Sequence, residues 1–413
     1  MNFEYFIAKR LVQGAEHKIS ISAPIIKIAI AAIALGIIMM LIAIATAAGL
    51  QNKIREKITA FNGHIQIYNY DNNNSEVSVV PVSTEQEFYP NFDIVEGIAH
   101  VQAVAMKAGV IRTEETFEGV ITKGVGTDYN WEVFQEYLED GKLPDYTGNL
   151  NDEVLMSRRM ASRLRFDVGS SFSTIFLKEE NPEQIPNQRK FTVVGIYDSG
   201  YEDFDELYLF VDIRHIQRMN KWEANEVGNF EVFLNDFDEI DQKSNAIYGK
   251  TLSTLDTQNI KGKYGKIFEW ISLFDFNVAG IIGIMVIVGG INMITALLVL
   301  ILERTQMIGV LKALGAADWS IRKVFLYNAA YLICIGLFWG NIIGLGIIWF
   351  QHRFRFFKFP NSEEYYIDYI PVQISGLSII AVNIGVLLLC LLMLLLPSYI
   401  ITKITPVKAI KFE

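Results

Sequence analysis

Four long apolar runs limit this chain to folds that cross a membrane. A helix needs about 20 mostly apolar residues to cross the hydrocarbon core of a bilayer. The runs Ile25–Leu50, Val278–Leu302, Val324–Phe350 and Ile374–Leu396 each reach that length. Polar side chains inside them, such as Thr46, Asn292, Thr295, Asn328, Asn341 and Asn383, are uncharged, and Lys27 at the start of the first run is the exception. Intramembrane ionisable groups mark proton and ion pathways, so these spans argue against ion-coupled transport. Ala45-Thr46-Ala47 resembles a cleavage site, but 24 residues precede an apolar run of some 26, and a signal peptide has a core of only about 7–15. The first run therefore reads as an anchor.

The spans divide the rest of the chain. The expected order is an amphipathic helix over 1–24, a first span over 25–50 and a large domain over 51–273. A second span over 274–302 leads to an inner loop over 303–321 and a third span over 322–350. A short outer loop over 351–373, a fourth span over 374–397 and a tail over 398–413 complete the chain. Charge follows the same division. Residues 51–270 carry 22 Lys+Arg against 37 Asp+Glu, while the other 193 residues carry 14 against 9. An acidic, water-facing block thus sits inside a faintly basic frame, which excludes a nucleic-acid binder that relies on a basic surface. Counted over short flanks, the side bearing both termini has 11 Lys+Arg and the opposite side 9. The positive-inside rule then puts the termini in the cytoplasm by a narrow margin. Both cysteines, Cys334 and Cys390, lie within spans, so the outer block has no disulfide.

Within that block the pattern is α+β. Val101–Ala105, Ala108–Thr113, Phe117–Thr122, Ser173–Leu177, Phe191–Ile196, Glu206–Phe210 and Asn229–Leu234 read as strands. Trp131–Leu138, Ser157–Leu164, Ile213–Met219 and Glu239–Tyr248 read as helices, with Asp212 an N-cap for the third. Catalytic signatures are missing. His17, His64, His100, His215 and His352 are scattered, and neither H-E-x-x-H nor G-x-S-x-G occurs. Gly249-Lys250-Thr251 resembles the end of a phosphate loop, but Ser244 stands where its first glycine belongs. Glu202, Asp203, Asp205 and Glu206 lack the ligand order of a calcium loop and read as a solvated loop leading into a strand.

The inner loop is the most informative segment. In Glu303-Arg304-Thr305-Gln306-Met307-Ile308-Gly309-Val310-Leu311-Lys312-Ala313-Leu314-Gly315-Ala316, the residues Met307, Val310, Leu311 and Leu314 recur at helical spacing. Gly315 suits a C-terminal cap and Asp318 can begin the next helix. A short amphipathic helix at the membrane surface either packs on its own spans or is offered to a partner. In the third span, Gly336, Gly340 and Gly344 form a small-xxx-small stripe that permits close helix approach, within the chain or across a dimer.

The inner-loop string resembles the coupling segment of FtsX/MacB-type ABC permeases, and the whole chain is similar to the LolC/LolE lipoprotein-releasing permeases. Further strings carry the resemblance in order: Phe6-Ile7-Ala8-Lys9-Arg10-Leu11, Gly63-His64-Ile65-Gln66-Ile67, Phe191-Thr192-Val193-Val194-Gly195-Ile196-Tyr197, Tyr365-Tyr366-Ile367-Asp368-Tyr369-Ile370-Pro371-Val372, and Thr405-Pro406-Val407-Lys408-Ala409. The fold it implies is a four-helix transmembrane bundle with a large α+β extracytoplasmic domain inserted between the first and second spans, the MacB/FtsX-like or type VII ABC permease.

The function it implies is that of a non-catalytic permease subunit in a bacterial inner membrane. Such a subunit pairs with the same or a sister chain and with a cytoplasmic LolD-like ATPase. This chain would itself bind no cofactor; ATP and Mg would sit on the partner. Lipoprotein would be extracted from the outer leaflet and handed to a periplasmic LolA-like carrier, with membrane lipid as the surroundings and nucleic acid playing no part. The resemblance makes Met307, Ile308, Leu311 and Lys312 the ATPase contact. Pro182, Gln184, Ile185, Pro186, Asn187, Gln188 and Arg189, in the loop Lys178–Lys190, become the carrier-docking loop, for which an ordinary long hairpin is the plainer alternative. Ala43, Ala47, Val278 and Ile282 become the lining of an acyl-chain cavity, though lipid contact alone also explains apolar residues there. The alternatives are an FtsX-like subunit that regulates a cell-wall hydrolase and a MacB-like export permease, which carries its ATPase in the same chain.

Overall fold

The computed structural model describes residues 4, 6–7, 22–72, 75–114, 116–176, 186–358 and 369–405. Most of the expected 1–24 helix, together with 177–185, 359–368 and the tail from Pro406, lies outside them. Two compact units emerge, one of residues 1–52, 270–359 and 369–413 and one of residues 53–269 and 360–368.

Helix α1 runs over Ser22–Asn62. It does not stop at Leu50, because Gln51–Asn62 is rich in good helix formers and holds no breaker before Gly63. Gly63 then takes a φ of 65°, which only glycine adopts freely, and its amide bonds back to Thr59. The outer unit follows as β1 (Ile65–Asn69), β2 (Val82–Ser83), β3 (Ile98–Arg112), β4 (Phe117–Val125), β5 (Leu138–Gly141) and β6 (Glu153–Ser157). Next come α2 (Arg158–Leu164), β7 (Ser171–Phe176), β8 (Asn187–Tyr197), α3 (Glu202–Leu207), β9 (Tyr208–Asp212) and α4 (Ile213–Asn220). Then β10 (Glu226–Val227), β11 (Asn229–Leu234), α5 (Ile240–Tyr248), β12 (Leu255–Asn259) and α6 (Ile260–Lys263) complete it.

Ten strands share one sheet in the order β12-β1-β11-β3-β4-β9-β6-β8-β5, and β7 pairs with both β3 and β8. Through β7 the strands β3, β4, β9, β6 and β8 close into a ring, which removes exposed edges there. The strands expected at Val101–Ala105 and Ala108–Thr113 are one strand, β3. Lys107 does not break it, because its buried ammonium donates to Asn220 Oδ1 at 2.6 Å. The expected strand Glu206–Phe210 begins later, at Tyr208, and the acidic run before it is helix α3 rather than a loop. Asp212 does cap α4, accepting from the Arg214 amide.

At the centre of this unit an ion pair is wholly buried. Lys123 of β4 lies 2.6 Å from Glu231 of β11, and neither side chain touches solvent. The Lys123 ammonium also donates to the carbonyl of Phe61 in the last turn of α1, and Gln102 Nε2 donates to Glu231 Oε2 at 2.9 Å. Burial pulls the Lys123 ammonium below its ordinary value while Glu231 acts against the shift. Phe61 itself packs on Phe204 and Phe134, with ring centroids 4.7 and 4.9 Å away.

The membrane unit contains four helices long and apolar enough to cross a bilayer. Beyond α1 these are α7 (Gly265–Glu303), α9 (Asp318–Phe354), which follows the short α8 (Thr305–Ala313), and α10 (Gly376–Ser398), which leads into α11 (Ile400–Lys403). The glycine stripe of α9 is spent inside the chain. A Cβ on Gly336 would lie 2.7 Å from Ile33 Cγ2, and one on Gly340 would lie 2.8 Å from Ile37 Cβ. Both partners belong to α1, so the glycines let two helices approach closely. Asn341 of α9 and Asn383 of α10 exchange amide hydrogen bonds of 2.6 and 3.0 Å, and each also donates to a carbonyl one turn back. These side chains satisfy one another where water is scarce.

Two outcomes test this packing. Gly340→Leu should destabilise the chain by about 1–3 kcal/mol through overpacking, read as thermal unfolding in detergent, whereas Gly346→Ala, with open space around it, should not. Lys123→Met should cost about 3–5 kcal/mol by leaving Glu231 buried alone, and Lys123→Met with Glu231→Gln should recover most of that loss in urea unfolding.

Candidate functional site

The inner end of the membrane unit is built around α8. Its start is marked by Thr305, whose hydroxyl donates back to the carbonyls of Ile301 and Leu302 at the end of α7. Its end is a glycine cap: Gly315 has φ 87°, its amide bonds to Lys312 O, and the Ala316 amide bonds to Leu311 O. That double closure is the Schellman arrangement, and it needs a residue in the left-handed region. Asp318 begins α9 as expected, as its first helical residue, with Ala317 in the N-cap position.

Asp318 also ties this helix to α8. Its carboxylate lies 2.8 Å from Lys312 Nζ. The same ammonium donates to the carbonyls of Ile401 at 2.7 Å, Ile404 at 2.9 Å and Thr402 at 3.3 Å. The last carbonyls of a helix have no partner within it, so Lys312 closes the end of α11 from a neighbouring helix. Arg322 works beside it. Its Nε donates to Ser398 Oγ at 3.1 Å and its terminal nitrogen to Leu395 O at 3.0 Å, next to the Pro397 that interrupts the ladder of α10. Glu4 accepts from Ser320 Oγ at 2.9 Å, which brings the start of the chain to α9.

This geometry divides the four residues expected to meet an ATPase. Ile308 is fully buried in the bundle core, and Lys312 is occupied and only 10% exposed. Neither offers a surface to a partner, because the helix turns them toward its own spans. Met307 and Leu311 are half-buried against that core. The outward face is carried instead by Leu302, Val310 and Leu314, the last two 46% and 79% exposed. Periodicity identified the apolar residues of α8, but those residues fall on two faces.

The other expected sites are placed less completely. Pro182, Gln184 and Ile185 lie outside the described residues. Pro186 is exposed, while Asn187, Gln188 and Arg189 open β8 and pair with Phe176, Ile175 and Thr174 of β7. These three are therefore hairpin stem rather than loop, because the alternating register of β7 extends to them. Of the cavity residues, Ala47 is 9% exposed, and Ala43, Val278 and Ile282 are half-buried. A polar cavity in the outer unit, bounded by Gln66, Tyr68, Glu76 and Lys263, measures about 40 Å³. That is room for a few ordered waters and too little for an acyl chain. The acidic run of α3 is also committed. Arg159 bridges Glu202 and Glu206, and Asp205 accepts from Ser199 Oγ at 2.7 Å. Burial pushes the Asp205 carboxyl up to about 7. Among the described residues no group of His, Cys, Asp and Glu could hold a metal ion.

Sequence comparison agrees with this architecture. The family model described as MacB-like periplasmic core domain matches residues 28–248, more than half the chain, and the FtsX-like permease C-terminal model matches 279–406. The chain belongs to the MacB/FtsX-like permeases and is of the LolC/LolE type. Among relatives of this LolC/LolE-type permease, the lipoprotein-releasing system transmembrane protein LolC of Xylella fastidiosa (strain Temecula1) is 19% identical over 92% of both chains. LolC of Neisseria meningitidis serogroup B is 24% identical over 94% of both, and LolE of Haemophilus influenzae is 22% identical over 99% of both. The FtsX-like match takes in α8, α9 and α10 whole, so the Lys312 and Arg322 contacts lie inside the permease segment. The chain is an ABC transporter permease subunit, the non-catalytic membrane component.

Removing the ammonium should loosen α8 without unfolding the bundle. Lys312→Met is expected to raise amide hydrogen exchange across 305–313 and 400–404 by about tenfold or more, since a hydrogen bond to a charged group contributes roughly 1.5–3 kcal/mol. Leu314→Asp, on the outward face, should leave exchange in both segments unchanged.

Proposed function

We propose that this permease extracts lipoproteins from the outer leaflet of an inner membrane and passes them to a soluble carrier, driven by a separate ATPase. What carries the reading is the end-to-end match to relatives named for lipoprotein release, 92% or more of each chain in the three cases above. The membrane helices support it too. Their cores hold no row of ionisable residues leading across the bilayer, as suits a device that lifts cargo out of one leaflet instead of carrying it through. The energy demand is real: each buried lipid methylene is worth about 0.8 kcal/mol, so extracting acyl chains needs a coupled source.

In this reading the ATPase docks on the outward face formed by Val310 of α8, Leu314 at its C-cap and Leu302 at the end of α7, with Met307 and Leu311 at its margin. Lys312 does not meet the ATPase; it ties α8 to the end of the fourth span, so that movement of α8 moves that span. A second permease chain completes the assembly. The segment 178–190, of which Asn187–Arg189 are paired into β8, is the carrier's docking site, and Ala43, Ala47, Val278 and Ile282 face the acyl chains once the second chain is present. The two termini lie in the cytoplasm and the outer unit in the periplasm.

The test is release itself. Proteoliposomes holding this permease, the ATPase that co-purifies with it and a radiolabelled triacylated lipoprotein are given ATP and soluble carrier. Label should move to the carrier only with ATP, and Val310→Asp with Leu314→Asp should abolish both ATPase co-purification and transfer. ATP hydrolysis by the complex with no lipoprotein released would reject the reading.

A further inference from the structure

The outer end of α9 carries a feature that permease chemistry does not require. Over the helix's last turn and the segment beyond it, exposed rings and cations alternate. Trp349 and Phe356 are 64% and 68% exposed, and Phe354 lies between them with its ring centroid 4.8 Å from that of Phe350. Arg353, Arg355 and Lys358 are all exposed on the same short stretch. Arg353 sits over the Phe354 ring at 6.0 Å and Arg355 over the Tyr369 ring at 4.4 Å. None of the three cations is ion-paired to a described acid.

The stretch is held in shape. Gln351 is buried, and its amide donates to the carbonyls of Phe357 and Ile370, both at 2.9 Å, while accepting from the Phe357 amide at 2.8 Å. Arg355 turns the chain at φ 49°. The returning segment is fixed to α1, where the Gln373 amide bonds to Ala45 O at 2.9 Å and Asn52 donates to the Gln373 side chain at 2.7 Å.

Two ordinary explanations fall short. Cations in a helix's last turn favour its dipole, but Arg355 and Lys358 lie beyond the helix. Aromatic belts sit at headgroup level in many membrane proteins, but a belt needs no cations, and this is the flank that the positive-inside rule would leave poor in them. These three residues supply a third of the nine Lys+Arg that nearly cancel the chain's charge bias. Exposed rings beyond the end of a membrane-spanning helix, with guanidinium and ammonium groups among them that meet no described acid, match a phosphate that carries acyl chains.

We infer that residues 349–358 form a binding collar for the headgroups of anionic phospholipids in the outer leaflet. The collar stands whether or not the chain releases lipoproteins. Its occupant is a lipid and not free phosphate, because the cations are embedded among rings that need an acyl or interfacial partner.

The test uses the full-length chain in detergent with added phosphatidylglycerol or phosphatidylcholine, and native mass spectrometry counts the lipids retained. Wild type should keep phosphatidylglycerol over phosphatidylcholine. About 1 kcal/mol per basic residue corresponds to roughly fivefold per charge, so Arg353→Gln/Arg355→Gln/Lys358→Gln should reduce the preference by at least about tenfold. Arg353→Lys/Arg355→Lys/Lys358→Arg should restore it. If the glutamine variant fails to fold, the wild type decides alone: 0.5 M salt should erase its preference, while 10 mM inorganic phosphate at matched ionic strength should not. Equal retention of the two lipids by wild type, as would follow if Glu363, Glu364 and Asp368 neutralised the cations, overturns the collar. So does unchanged preference in a folded glutamine variant, or displacement by inorganic phosphate.

Discussion

One ammonium group organises the inner end of this molecule. Helices end with carbonyls that have no partner of their own, and near a bilayer the supply of water to satisfy them is limited. Lys312 reaches from α8 to three carbonyls at the end of α11, of which Ile401 O also accepts from the Ile404 amide, and holds Asp318 of α9 with the same atom. Arg322 treats the Pro397-interrupted end of α10 in the same way. Three segments, α8, α9 and α11, are thereby fixed to one another, although α11 lies some 90 residues along the chain from Lys312. Whatever pushes on the outward face of α8 pushes on the last span as well.

The outer unit uses the same device with a different cost. Lys123 also caps a helix, donating to the carbonyl of Phe61 in the last turn of α1, but it does so fully buried and needs Glu231 to neutralise it. A buried pair of this kind contributes little net stability compared with apolar packing of the same shape. Its geometry, though, is demanding: β4, β11 and the end of α1 must meet in one arrangement. Phe61 reinforces this by inserting its ring among Phe134, Phe204 and Phe210.

Much of the architecture was legible because membrane spans and strands leave periodic or bulk signals. The four apolar runs, the strand Asn229–Leu234 and the Asp212 cap of α4 needed only local pattern. The continuation of α1 past Leu50 was hidden by its change of solvent: its apolar signal ends at the span, while its helix propensity does not. At the site, spacing identified α8 and the role of Gly315 but not the direction in which each residue faces. Ile308 and Leu314 are similar side chains six residues apart, and one is buried while the other is exposed. No local pattern links Lys312 to carbonyls some 90 residues later, since that contact exists only after the spans have packed.

If α8 receives force from an ATPase, Lys312 is what passes it to the fourth span. The decisive experiment measures ATP hydrolysis and lipoprotein release together in proteoliposomes of the assembled transporter carrying Lys312→Gln. Uncoupling is expected, with ATPase still bound and hydrolysing while release falls at least about tenfold. Release that keeps its wild-type ratio to hydrolysis would contradict it.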